Sequence, residues 1–194
     1  WNGSSWTEIA ETNFPRSDSA SAGTQTSGMI ATGTPVPGNP SLRPGGSSIV
    51  TETWNGTSWT EVGDTNTQRL QAGMAGSGTT SASIIAAGED GPGSRTLNAE
   101  TWNGTSWTEV SDLNTTRGYF AGDGTNDVDC LVFGGNTPPP ANTGVTEHWN
   151  GTAWTELADL SVARGNGMGG AGSGATNLCF GGTADPGRST STEE

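Results

Sequence analysis

The chain has 194 residues, of which only 29% are hydrophobic and 32 are glycine, and 20 acidic against seven basic residues give a net charge of −13. That charge argues against nucleic acid and anionic membranes as partners, since both need a basic face. No apolar run reaches the length of a membrane span or a signal peptide, so no membrane insertion is expected and the acidic surplus reads as a solvated exterior.

The chain opens on Trp1-Asn2-Gly3-Ser4-Ser5-Trp6-Thr7-Glu8-Ile9, and this stretch returns at 54–62, 102–110 and 149–157. The four copies hold all eight tryptophans, and their leading tryptophans lie 53, 48 and 47 residues apart. A period of about 40 to 50 residues with strand-like content is the signature of a propeller or another stacked β array. Each unit is too short to bury its own apolar face and must stack on its neighbours. Residues 1–194 therefore read as one β-propeller domain, with repeats starting near Trp1, Trp54, Trp102 and Trp149. The low hydrophobic content would suggest disorder in an ordinary chain. Here Trp, Val, Ile and Leu recur at fixed places between Gly, Ser, Thr and Asn, which points to a thin β core. The chain starts at Trp1 rather than methionine, so it is expected to be processed, excised or part of something longer.

Copy two shows the unit most clearly. Residues 48–54 alternate and are β-branched, which predicts a strand ending at Trp54. Asn55-Gly56 predicts a two-residue hairpin turn, and 57–62 the return strand, with Trp59 and Glu61 on one face. A polar linker leads to an arginine that recurs as Arg16, Arg69, Arg117 and Arg164. A Gly/Ala-rich run follows, 72–78 here and 165–170 in copy four, and small residues at that density suit an inner strand near a crowded axis. The last strand is Ser83–Ala87, matched by Cys130–Phe133 and Leu178–Phe180, and it runs into Ala87-Gly88, Gly134-Gly135 or Gly181-Gly182. The loops that come next, 34–46, 89–98 and 136–144, vary most and leave from one corner of the unit. In repeat proteins such loops often mark the binding face, although drift in solvent produces the same pattern.

A strand ending in Gly134-Gly135, a variable loop, Glu147, Trp149, Trp154 and a linker to Arg164 together resemble the kelch repeat. The first tryptophan stands where kelch repeats usually carry Tyr, and copies one and two have Thr32-Gly33 and Ala87-Gly88 in place of the double glycine. The resemblance implies an all-β fold, a β-propeller of four kelch-like four-stranded blades. Residues 192–194 match the segment before each leading tryptophan, so the ring is expected to close by N- and C-terminal strands in one blade. A section of a longer array, or two chains sharing a larger ring, remain as alternatives. The Trp-Asn-Gly-Thr-Ser-Trp-Thr-Glu wording is also similar to repeat proteins of marine tailed bacteriophages. That likeness implies a virion- or tail-associated protein, extracellular or on the virion surface.

The same hairpin is similar to the Trp-Asp-Gly-x-x-Trp hairpin of small bacterial fucose-binding propeller lectins, in which Trp, Arg and Glu form the sugar site. That resemblance makes Trp6, Trp59, Trp107 and Trp154, with Arg16, Arg69, Arg117 and Arg164, candidates for glycan or partner binding. The competing reading packs the tryptophans between blades and pairs each arginine with Glu8, Glu61, Glu109 or Glu156, one ion pair per blade. Asn2, Asn55, Asn103 and Asn150 sit in glycosylation acceptor patterns that turn chemistry alone accounts for.

Little in the chain suggests catalysis. Cys130 and Cys179 match no metal motif and read as small core residues. His148 is the only histidine, which excludes a multi-histidine metal centre and disfavours a Ser-His-Asp triad. Galactose oxidase shares the kelch propeller, but its copper ligands are not matched, and the Asp box of sialidases fails because Trp54 or Trp102 occupies its aspartate position. Residues 126–129 lack the glycine and glutamate of a calcium loop and read as a solvated turn. No cofactor or metal is expected. The sequence thus leads to a non-enzymatic structural or adhesive propeller in contact with other virion or surface proteins, with a multivalent glycan-binding lectin as the alternative and oligomerisation open.

Overall fold

The computed structural model describes residues 1–35, 47–75, 80–91, 94–139, 141–174 and 176–194. The Pro/Gly-rich part of the first variable loop, residues 76–78 of the small-residue run, and Pro140 lie outside the described residues.

The described residues form strands and turns without a helix, and four four-stranded sheets make four propeller blades. Blade 1 runs from an inner strand (Ala20–Thr24) through a second (Ser27–Ala31) and third (Thr51–Trp54) to an outer strand (Trp59–Glu61). Blade 2 repeats this order with Gly73–Ala75, Ser83–Ala86, Ala99–Trp102 and Trp107–Val110. Blade 3 uses Ala121–Asn126, Asp129–Phe133, Thr146–Trp149 and Trp154–Glu156. The inner strands of consecutive blades run side by side. Glycine lets them approach this closely, because a Cβ on Gly170 of blade 4 would meet Phe133 and the Gly122 backbone of blade 3.

Strand alternation sends successive side chains to the two neighbouring blades. Met29 and Ala31 of blade 1 meet Ile85, Trp102 and Trp107 of blade 2. Ile84 and Ala86 meet Cys130, Val132, Trp149 and Trp154 of blade 3. Between blades 3 and 4 the core is Phe133, Leu131, Ala121, Leu160, Met168 and Cys179, with no tryptophan. Cys130 and Cys179 are buried free thiols, as small core residues should be.

Blade 4 departs from the closed ring expected above. Its inner strand (Gly165–Ser173) and second strand (Thr176–Ala184) are long, and the second pairs with Thr192–Glu193 and, further along, with Gly187–Arg188. No N-terminal strand joins this sheet. Trp1 and Trp6 are instead 55% and 83% exposed. Blade 1 holds the segment that follows through Asn13 and Arg16, both bonded to Glu52, as blade 2 holds the linker after Trp59 through Asn66 and Arg69.

The hairpin turn is longer than Asn-Gly alone suggests. Trp54 faces Trp59 directly, so four residues make the turn instead of two. Asn55 Oδ1 accepts the Thr57 and Ser58 amides, each at 2.9 Å, and only Gly56 takes positive φ. An asparagine side chain standing in for a backbone acceptor favours this longer turn.

Candidate functional site

Each arginine comes from the linker entering its blade and lies across the third strand of that blade. Arg69 donates to Glu100 at 2.5 Å and to the Asn98 carbonyl at 2.9 Å, and Arg117 to Glu147 at 2.6 Å and the Val145 carbonyl at 2.6 Å. Arg16 pairs with Glu52 and Arg164 with Glu193. The acid is thus the one two residues before the leading tryptophan. Glu61, Glu109 and Glu156 lie exposed on the outer strands and Glu8 is exposed as well, so the expected pairing with them is corrected. The second carboxylate oxygen is satisfied too: Glu100 Oε2 accepts the backbone and side-chain N–H groups of Asn66 at 2.7 and 2.9 Å. Asn13 and Asn114 repeat this, and Ser161 supplies its backbone amide in blade 4. Burial pushes Arg69 and Arg117 down from the usual arginine range, opposed by the glutamate each one faces.

The tryptophans pack in tilted pairs, with centroids 5.4 Å apart in blades 2 and 3. The leading indoles donate to carbonyls at the tip of their own blade, Trp54 to Gln25, Trp102 to Thr80 and Trp149 to Asp127. The second indoles reach the preceding blade or linker, Trp107 to Thr51 Oγ1 and Trp154 to the Ser111 carbonyl. Of the eight candidate binding residues, Arg69, Arg117, Arg164, Trp107 and Trp154 are buried, and the Arg16 side chain is 2% exposed. These six are corrected from surface ligands to packing residues, because their polar atoms are committed inside and between blades. Trp59 is half-buried and Trp6 is open to solvent.

The variable loops do leave from one face, each beginning at the end of a second strand. There they form small ribbons, such as Glu89–Gly91 with Ser94–Arg95 and Asn136–Thr137 with Ala141–Asn142. The same face carries a ring of residues that the sequence reading passed over. Two places after each repeated arginine stand Asp18, Gln71, Tyr119 and Asn166, all at positive φ between 47° and 56°. A relay of backbone bonds circles the axis through them: Gln71 N–H to Asp18 O, Tyr119 N–H to Gln71 O, and Asn166 N–H to Tyr119 O. Non-glycine residues held in this region cost energy and cluster at functional sites. The available signal was a position of fixed spacing whose side chain changes in every copy.

Beside Tyr119 and Asn166 opens a pocket of about 480 Å³ lined also by Glu89, Arg95, Asn136, Pro138 and Asn142. Glu89 and Arg95 pair at 3.5 Å, Gln71 Nε2 donates to the Tyr119 hydroxyl at 2.5 Å, and Asn136 Nδ2 to Asn142 Oδ1 at 2.7 Å. Arg95 Nε and Gln71 Oε1 are buried without a hydrogen-bond partner, and both lie close to Gly118. A phenol, three amides, an ion pair and unused polar atoms make a surface suited to hydrogen-bonding recognition. His148 stands elsewhere, bonded at 2.7 Å to Asp129, which begins the second strand of blade 3 at the end opposite Gly134. Residues 126–129 form the turn expected of them, with Asn126 Oδ1 accepting the Val128 amide.

No protein-family model matches the chain, and no curated protein matches it. Among solved structures the chain is similar to one described as "Structure of YjhT", with a TM-score of 0.78 and 12% sequence identity over 97% of this chain and 68% of that one. At that identity the likeness is one of fold, and it agrees with the propeller described here.

Proposed function

We propose that the chain is a non-enzymatic adhesive or structural module that meets a partner protein or host surface through its loop face. One observation carries this reading. Residues that pack the blades repeat, whereas the rim residues Asp18, Gln71, Tyr119 and Asn166 share one strained backbone position and differ in every copy. Fold stability asks for sameness at equivalent positions, and recognition of one particular surface asks for difference. The single histidine, His148, is bonded to Asp129 away from the loop face. The kelch-like repeat and the Trp-Asn-Gly-Thr-Ser-Trp-Thr-Glu wording support a setting on a virion or its tail, outside the cell.

Glycan capture is the second reading, favoured by the pocket beside Tyr119, whose aromatic ring, amides and Glu89–Arg95 pair suit a polyhydroxylated ring. Selection from a displayed peptide library, run beside a panel of purified polysaccharides, tests both. Binders are expected to lose affinity for the Tyr119→Ala and Asn166→Ala chains and to keep it for Ser58→Ala on the opposite face. Binders indifferent to Tyr119 and Asn166 would overturn the assignment of this face. Retention of polysaccharide but not peptide would select the glycan reading.

A further inference from the structure

The turns that join the third strand of each of blades 1 to 3 to its outer strand bring reactive groups together. Asn55, Asn103 and Asn150 are exposed, and each precedes a glycine whose φ lies between 89° and 93°. Asn55 Oδ1 accepts the Thr57 and Ser58 amides, each at 2.9 Å. Asn103 Oδ1 accepts those of Thr105 and Ser106 at 2.9 and 3.0 Å, and Asn150 Oδ1 those of Thr152 and Ala153, each at 2.9 Å. Each asparagine's own N–H closes the turn at 3.3 Å on the carbonyl three residues ahead. Among the described residues, the Gly56, Gly104 and Gly151 N–H groups donate to no protein acceptor.

Two amides converging on one carbonyl oxygen are the donor set that stabilises an oxyanion during acyl transfer. The nucleophile is the next atom group along the chain. A glycine nitrogen closes a five-membered ring when it bonds to the preceding asparagine Cγ, and no Cβ hinders its approach. As that bond forms, negative charge develops on Oδ1, where both amides already point. Donors set in advance lower the barrier because they need not reorganise during the step.

We propose that these three turns are sites of self-catalysed deamidation. The Gly56 nitrogen loses its proton to hydroxide and bonds to Asn55 Cγ, and the Cγ–Nδ2 bond breaks to release ammonia, which takes a proton from water. One water then adds to the succinimide and opens it to aspartate or isoaspartate. Asn103 and Asn150 react in the same way. The aspartate product keeps both amide bonds in charge-assisted form, so the hairpin persists. Each conversion adds one negative charge, on the face opposite the variable loops, to a chain already at −13. The isoaspartate product lengthens the main chain by one carbon and takes the acceptor out of place.

A comparator lies in the same molecule. Asn166 is also exposed and precedes Gly167, around which a Cβ would meet nothing within 4 Å. Among the described residues it is held through its backbone N–H on the Tyr119 carbonyl, and no amide donates to its Oδ1. It shares the Asn-Gly sequence and lacks the donor pair.

Peptide mapping by mass spectrometry during incubation at mildly alkaline pH tests this, with the folded chain run beside the chain unfolded in guanidinium chloride. In the folded chain, Asn55, Asn103 and Asn150 are expected to convert at least about tenfold faster than Asn166, and faster by the same margin than they do unfolded. Ser58→Pro removes one donor from the first turn and should slow Asn55 alone, with Asn103 and Asn150 as controls. If that variant does not fold, the comparison of folded and unfolded parent chain still decides. Equal rates in the two states, slower conversion when folded, or Asn166 keeping pace with the turns would each overturn the proposal. So would undiminished conversion of Asn55 in a folded Ser58→Pro chain.

Discussion

Arg69 reaches Glu100 at 2.5 Å with both side chains fully shut off from solvent, and the guanidinium and carboxylate belong to the linker and the third strand of one blade. Such a pair contributes little net stability against an apolar replacement, but removing one partner strands a buried charge at about 3–5 kcal/mol. Glu100→Ala is therefore expected to lower the unfolding free energy by about that amount in urea titration. Glu61→Ala, on an exposed outer strand, should stay within about 0.5 kcal/mol of the parent. Equal losses in the two variants would contradict the pairing.

The tryptophans of the inner junctions should be unequal to those of the free hairpin. Trp102 is 1% exposed between blades 1 and 2, and Trp102→Ala should cost about 3–5 kcal/mol. Trp6→Ala should leave monomer stability almost unchanged. Thermal unfolding of both variants checks this.

Backbone strain gives a prediction that separates two corner residues. Ala87 has φ 50° and Gly135 has φ 103°, each in the corner after a second strand. Ala87→Gly relieves a left-handed conformation that costs an L-residue about 1–2 kcal/mol, but it deletes a fully buried methyl and adds glycine's entropy cost, so the melting temperature should change little. Gly135→Ala should lower it by more, since its Cβ would press on the Gly118 carbonyl and Phe120.

Acid should loosen blade 4 at Glu193. Burial pushes this carboxyl upward, but the backbone and hydroxyl of Ser161, the Arg164 charge and the Val162 amide outweigh it and hold its pKa below the ordinary value. A depressed folded-state pKa contributes stability that is present above the unfolded-state pKa and lost as pH falls through the folded one. The protection factor of the Ser161 amide, whose N–H donates to Glu193, should fall on acidification through that range. Glu193→Gln should flatten the response.

Much of the fold was legible because repetition multiplies weak signals. Three of the four Trp hairpins located outer strands, and the Gly-rich runs at 72–75 and 165–170 located inner strands that only small residues allow. The partner of each arginine was missed because both Glu52 and Glu61 recur in every complete hairpin unit. Periodicity cannot choose between two repeated acids, and only burial does. Asn13, Asn66 and Asn114, three residues before the arginine, were a readable clue to that choice. The expected ring closure is not met because likeness between the two ends of the sequence does not fix how the first and last blades stand, and Leu178 and Phe180 of blade 4 stay exposed rather than packed on blade 1. The rim was missed for the reverse reason: Asp18, Gln71, Tyr119 and Asn166 share a backbone conformation but no side-chain type, so a search for repeated letters passes over them.

The central claim is that the loop face, and not the repeated Trp and Arg residues, meets the partner. Hydrogen–deuterium exchange of the chain with and without a selected peptide or polysaccharide tests it most directly. Protection gained at residues 16–20, 69–72, 117–121 and 136–139, with no change in the hairpin turns at 55–58 and 103–106, is the predicted result. Protection confined to those hairpin turns would contradict it.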